Sequence, residues 1–149
     1  MAQSTGGISA RNVKIEGSVN GTTWTDISGF ANSISPDGGD RDVGEEYTFD
    51  GDTPIVTFGK RKSLKLKVKV LYTEGASDPF ETARAAYEAN SAYYIRYSPN
   101  GQSTGTFLLT SSAGRIVTPP YPKMEAKAGD AVTLEFTFQC ASIAKSTNA

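Results

Sequence analysis

Histidine is absent from all 149 residues of this sequence. It is the usual general base of serine and cysteine hydrolases and a frequent zinc ligand, so Ser-His-Asp, Cys-His and His-ligated zinc chemistry are excluded. Carboxylate pairs and lysine nucleophiles remain open, but no arrangement of them stands out along the chain. We therefore expect a protein that is not an enzyme and that needs no cofactor or metal.

Cysteine, long apolar runs and net charge are also scarce. The single Cys140 cannot form an internal disulfide, and no apolar run approaches the roughly 20 residues of a membrane helix. Residues 1–7 lack the basic and apolar parts of a secretory signal. With 15 basic and 16 acidic residues, no general attraction to nucleic acid or membranes is predicted. We expect one domain over residues 11–142, with a flexible N-terminal arm (1–10) and a flexible tail (143–149).

One helix is predicted, over residues 78–90. Asp78 is a good N-cap, Pro79 suits the first helical position, and Glu81 completes a capping-box pattern. The helix has a narrow face of small residues that favours close packing on a sheet or on a neighbouring subunit. Arg84 and Glu88 are four residues apart, which predicts a surface ion pair that is free to face a neighbouring subunit.

The rest of the chain predicts a mainly β fold. In residues 64–70 and 132–140 apolar and polar side chains alternate strictly, which is typical of half-buried strands. Asn20-Gly21 predicts a hairpin turn with a bulge or a longer connection. About eight strands, with turn signals between them, predict a β-sandwich or barrel with the helix on its flank.

The segment 28–53 is predicted to be a long, mobile acidic loop. Residues 37–52 hold seven acids and one base, a local net charge of −6. Calcium binding by its carboxylates is one interpretation, but their spacing does not match the EF-hand loop. A solvated loop, or one that meets a basic patch on another copy of the chain, is the alternative.

A basic run and a set of aromatics leave two further alternatives open. The run from Lys60 to Lys69 could track phosphates, as in a small DNA-binding protein, although its lysine face lacks stacking aromatics. Trp24 and several tyrosines could form the platform of a carbohydrate- or cell-surface-binding module. Aromatics of this kind more often lie in a core or an interface. The tyrosines concerned are Tyr87, Tyr93, Tyr94 and Tyr97.

Residues 77–101 and 130–141 together resemble major tail tube proteins of long-tailed (siphovirus-type) bacteriophages. The resemblance lies in the order of elements: an early strand pair, a long irregular loop, a long strand, one small-faced helix, a Tyr/Ile/Arg strand and an alternating final strand. It implies a β-sandwich of which six copies form a ring, and rings that stack into a tube. It also implies that genomic DNA is ejected through the tube without sequence-specific binding.

The resemblance implies partners and a location as well. The partners would be further copies of the chain, tape-measure protein, and tail-tip and terminator proteins, with no membrane. The chain would be a structural protein of the virion tail, assembled in the host cytoplasm.

The same resemblance supplies candidate site residues. The alternate residues of the last strand would line the lumen, and the early loop would bridge subunits. The lysine face departs from what a lumen should show, so either that strand points elsewhere or its lysines are paired with carboxylates. The lumen candidates are Thr133, Glu135, Thr137 and Gln139. The subunit and ring interface candidates are Asp37, Asp40, Arg41, Asp42, Glu45, Glu46, Lys65, Lys67, Lys69, Arg84 and Glu88.

Overall fold

The computed structural model describes residues 2–126 and 129–149. In this part of the chain it contains eleven strands, more than the eight or so predicted, and a single α-helix. The elements are β1 (Lys14–Ser18), β2 (Thr25–Asp26), β3 (Ala31–Gly38), β4 (Arg41–Glu46), β5 (Ile55–Arg61), β6 (Leu64–Leu71), α1 (Pro79–Ala89), β7 (Tyr94–Ser98), β8 (Phe107–Ser111), β9 (Gly114–Ile116), β10 (Thr133–Cys140) and β11 (Ile143–Thr147).

Two antiparallel sheets form a sandwich. Sheet A has the strand order β11-β8-β7-β1-β2, and sheet B has the order β3-β6-β10-β9. Strands β4 and β5 form a separate pair. A single core cluster draws on both sheets and on the helix. The predicted mainly β fold with one helix is confirmed.

Alternation places one face of each central strand of sheet B in the core. Leu66, Val68 and Val70 of β6 have no exposed surface, and Val68 lies opposite the buried Phe136 of β10. Burial of each such side chain stabilises the fold by about 1.5–3 kcal/mol. The buried faces of β6 and β10 are therefore predicted directly by their sequence pattern.

Helix α1 lies where it was predicted, between Asp78 and Asn90. Asn90 ends it in the left-handed conformation (φ 48°). The capping box does not form, because the Asp78 carboxylate accepts from Gly75 N at 3.0 Å and Glu81 pairs instead with Arg84. Ala83 is fully buried, so the small-residue face packs on the sandwich as expected.

The predicted loop over residues 28–53 is wrong in its structure. It contains β3 and β4, which pair with β6 and β5 to make one long hairpin. Acidic side chains that project into solvent do not prevent backbone pairing, and apolar residues on the partner strand β5 supply β propensity. Within this segment only residues 28–30, 39–40 and 47–53 lack strand structure.

The C-terminal residues differ from the prediction, whereas the turn after β1 agrees with it. The tail at 143–149, predicted to be flexible, forms β11, which pairs with β8 and gives that strand a neighbour on its open side. The turn after β1 is long, as predicted, because Gly17 lies opposite Thr25. Ser18 and Asn20 side chains hold that turn through hydrogen bonds to its backbone.

Tyr93 predicts a loss of stability at high pH. Burial raises the pKa of its phenol to about 12, against about 10 in the unfolded chain. The folded state therefore disfavours the phenolate, and up to about 2.7 kcal/mol of stability, present below pH 10, is lost between pH 10 and 12. Denaturant unfolding from pH 9 to 11.5 should show a flatter profile for Tyr93→Phe than for wild type. The exposed Tyr47→Phe variant is the control, and equal slopes in all three proteins would contradict the prediction.

Candidate assembly surfaces

The outer part of the long hairpin projects from the sandwich. We call residues 40–62 the arm; it comprises β4, β5 and the turn between them. Every residue of β4 and β5 is exposed. Among the described residues nothing therefore covers the arm, which suits it for contact with another molecule.

One face of the arm carries three exposed apolar side chains and one carboxylate, that of Glu45. Val43 lies opposite Phe58, and next to them Glu45 lies opposite Val56. Val43 is 57%, Phe58 73% and Val56 43% exposed. Tyr47, at the start of the turn, is also exposed. An apolar strip of this kind is costly in water and marks an interaction surface.

The charge of the arm is divided between its base and its tip. At the base, Lys62 pairs with Asp42 at 3.3 Å, and Arg41 of β4 lies opposite Arg61 of β5. Residues 43–59 contain four acids and no base, a net charge of −4. The tip thus holds four of the seven acids of residues 37–52 and no base. Across residues 2–126 and 129–149 no group of three or more side chains is arranged to hold a metal ion.

Two consecutive glycines join the arm to sheet B. Gly38 and Gly39 have φ values of 77° and 76°, in the left-handed region. A Cβ on Gly38 would lie 2.7 Å from the carbonyl oxygen of Ser63, and one on Gly39 would lie 2.6 Å from a methyl group of Leu64. The hairpin turns at this point without losing its backbone pairing, since Gly39 N donates to Ser63 O at 2.9 Å.

The exposed face of sheet B brings together two sets of candidates that the sequence assigned to different roles. Lys65, Lys67 and Lys69 of β6 lie opposite Gln139, Thr137 and Glu135 of β10. Of the β10 residues Glu135 is exposed, whereas Thr137, a lumen candidate, is buried at 8% exposure. Directly opposed residues share a face, so the lysine strand does not point elsewhere. On the other side of β6 the same rows continue into Asp37, Ser35 and Ser33 of β3, and Arg115 of β9 lies opposite Gln139.

This face is net basic. It carries Lys65, Lys67, Lys69 and Arg115 against Asp37 and Glu135, a sum of +2 for each copy. Among the described residues none of the three lysines lies within 4.0 Å of a carboxylate. The four β10 candidates contribute one charge, that of Glu135, so the basic character of the face comes from β6 and β9.

The helix candidates are bound within their own copy. Arg84 forms ion pairs with Glu81 and with Glu88, the latter at 2.7 Å. The Tyr121 hydroxyl donates to Glu88 at 2.9 Å and ties the proline-rich segment to the helix. The predicted ion pair is confirmed, and both side chains remain partly exposed beside their partners.

A charged cluster on the outer face of sheet A was missed by sequence reasoning. Glu16 is 5% exposed, pairs with Arg96, and lies 3.2 Å from Lys14. Trp24 stacks on Arg96 with 4.4 Å between the guanidinium carbon and the ring centre. Pairing of β1 with β7 creates the cluster, and sequence spacing cannot show that pairing.

The aromatic residues do not form one exposed platform. Tyr93 is 2% exposed and packs edge-on against Phe138 in the core. The guanidinium of Arg96 covers one face of the Trp24 ring. The carbohydrate interpretation therefore gains no support from the arrangement of these side chains. In the described part of the chain no helix is long and apolar enough to cross a membrane.

Comparisons with known proteins give similarity at the level of structure. Neither a family model nor a curated protein matches the sequence. A chain of the PVC sheath-tube complex, from an extracellular contractile injection system in its extended state, is 15% identical with a TM-score of 0.67, covering 98% of this chain and 99% of that one. A chain from the tail of an empty gene transfer agent particle, refined with C6 symmetry, is 11% identical with a TM-score of 0.66, covering 99% and 100%.

A phage structure and several end pieces of tubes are also similar. The SPP1 tail tube protein is 15% identical with a TM-score of 0.60, covering 95% of this chain and 80% of that one. Other similar chains come from a sheath/tube terminator, a tube-terminating cap and a baseplate. The resemblance to tail tube proteins that the sequence suggested is thus confirmed for the fold.

Proposed function

We propose that this chain is the structural subunit of a phage-type tail tube and assembles with further copies of itself. The observation that carries the proposal is the exposed apolar face of the arm, on a fold shared with tube proteins. A single copy leaves that face in water. A second copy that covers it would gain the free energy of apolar burial, about 25 cal/mol for each Å² removed from water.

Rings would form through the edges of sheet B. Strands β3 and β9 lie at its two edges, and exposed edges readily accept another strand. A contact from one edge to the opposite edge of the next copy is heterologous, and it closes into a ring when the rotation allows. Six copies are our proposal for that ring, supported by the C6 symmetry of the similar gene transfer agent tail.

The exposed face of sheet B would line the lumen, and genomic DNA would be ejected through it. With a net charge of +2 from each copy, the passage of DNA should depend on salt, since lysines release counterions when they contact phosphates. Tape-measure and tail-tip or terminator proteins are the further partners in this proposal. The chain would be located in the virion tail after assembly in the host cytoplasm.

Electron microscopy of the purified chain tests the proposal. Rings or tubes support it, and particles that stay monomeric at every concentration contradict it. Monomers with a salt-dependent affinity for DNA would instead favour the DNA-binding alternative, because the lysines of β6 form a continuous ladder.

A further inference from the structure

The directions of the two edge strands of sheet B allow them to pair between copies. Each neighbouring pair in the order β3-β6-β10-β9 is antiparallel, so β3 and β9 run in opposite directions. Placing β3 of a second copy beside β9 of the first continues the alternation, with the exposed faces on the same side. The edges can therefore meet in an antiparallel contact without turning either copy over.

Both edges are accessible. An open cleft of about 500 Å³ runs along the first half of β3, between residues 10–13 and 31–34. On β9, Gly114 forms two backbone hydrogen bonds with Tyr93: Tyr93 N donates to Gly114 O at 2.9 Å, and Gly114 N donates to Tyr93 O at 3.0 Å. From Arg115 onward the described residues provide no further strand beside β9. Among the described residues no strand pairs with the outer side of β3 or with residues 115–116 of β9, so another copy can pair there.

The edges carry opposite charges on the face that they share. Asp37 is the charged residue of β3, and Arg115 is the charged residue of β9. They occupy the two ends of a single row, Asp37–Lys65–Gln139–Arg115. Both are exposed, and neither lies within 4.0 Å of an opposite charge among the described residues.

We infer that Asp37 of one copy forms an ion pair with Arg115 of the next copy, and that this pair sets the order β9-to-β3 at the ring contact. The inference rests on the proposed function and adds the partner residues to it. Each copy takes part in two such pairs, one at each edge. Opposite charges across neighbouring strands stabilise the contact, whereas like charges oppose it. The pair thereby disfavours contacts that bring two β3 edges, each with its own Asp37, side by side.

A charge swap tests the pair. We expect Asp37→Arg and Arg115→Asp, each alone, to raise the critical concentration for assembly by about tenfold, which corresponds to 1.4 kcal/mol. The double variant restores opposite charges, so its critical concentration should return to within about threefold of wild type. A threefold difference corresponds to about one RT, or about 0.59 kcal/mol. Higher salt should narrow the difference between single variants and wild type because exposed charges are screened.

The matched control uses an ion pair within one copy. Lys123 and Glu125 are exposed and lie 3.0 Å apart. Lys123→Asp and Glu125→Arg make the same charge changes away from the sheet edges, and they should leave the critical concentration unchanged. The inference is overturned if the control variants raise the critical concentration as much as Asp37→Arg does. It is also overturned if the critical concentration of the double variant is no lower than that of the single variants.

Crosslinking gives an independent readout of position. In the variant with both Asp37→Cys and Arg115→Cys, oxidation should link successive copies into a ladder, because disulfides need Cα atoms about 4.4–6.8 Å apart. Each single-cysteine variant should give no species beyond a dimer, and the native Cys140 is buried. If wild type assembles, but the double-cysteine variant forms no ladder and the charge swaps have no effect, the ion pair alone is refuted. A wild type that never assembles refutes both the proposed function and the pair.

Discussion

Phe58→Asp should abolish assembly and leave the fold intact. Phe58 is 73% exposed on the apolar face of the arm and packs against nothing in the core. A carboxylate there would have to be desolvated when a second copy covers the face, at a cost of several kcal/mol. Sedimentation velocity should show a single small species at concentrations where wild type forms large particles, with an unchanged unfolding transition.

Thr57→Asp is the matched control for that variant. Thr57 is the adjacent residue, and its side chain projects from the opposite face of the same exposed strand. The same charge is therefore added to the arm without entering the apolar face. Assembly should persist in this variant. If both variants assemble as wild type does, the arm is not the subunit contact.

Gly114→Val should have the largest effect on the fold. A Cβ at Gly114 would lie 2.3 Å from the carbonyl oxygen of Gln139 and 2.6 Å from the ring of Phe138. Neither the strand backbone nor a fully buried ring can move aside cheaply. We expect a loss of about 3 kcal/mol, at the upper end of typical overpacking costs. For a chain of this size that corresponds to a fall in Tm of about 6–12 °C.

Thermal unfolding followed by circular dichroism measures this loss. Gly51→Val is the control, because a Cβ at Gly51 meets no atom within 4 Å. An unchanged Tm for Gly114→Val would show that β9 does not pack on β10 as described. The two variants test different claims. Phe58→Asp tests the proposed assembly, and Gly114→Val tests the packing of the sandwich.

The sandwich core could be predicted because its strands alternate strictly. Leu66 and Phe138 belong to period-2 patterns, and such patterns fix which face is buried. Helix α1 could be predicted from Asp78, Pro79 and the alanines. The capping box could not, because the Glu81 side chain has a competing partner in Arg84, and the choice between them depends on the folded backbone.

The arm and the tail were mispredicted for a common reason. Both are polar strands whose pairing depends on a partner strand rather than on their own pattern: β4 on β5, and β11 on β8. Hydrophobic periodicity identifies half-buried strands, and β4 is exposed on both faces. Sequence reasoning therefore interpreted its acidic residues as a loop.

The candidate site shows the same limit. Sequence alternation showed that Lys67 and Thr137 each face away from the core, but only the register between β6 and β10 shows that they share one surface. Asp37 and Arg115 are far apart in the chain, and their place at the two edges of one row follows from strand order alone. Charges and faces were accessible from the sequence, whereas their combination required the topology.

Negative-stain electron microscopy of the wild-type chain across a range of concentrations tests the central claim most directly. The account predicts hollow rings at moderate concentration and stacked tubes above it, because one copy offers both an uncovered apolar arm and two complementary sheet edges. Phe58→Asp on the same grids should show neither. Dispersed monomers of wild type at every concentration, or solid aggregates without a central channel, would contradict it.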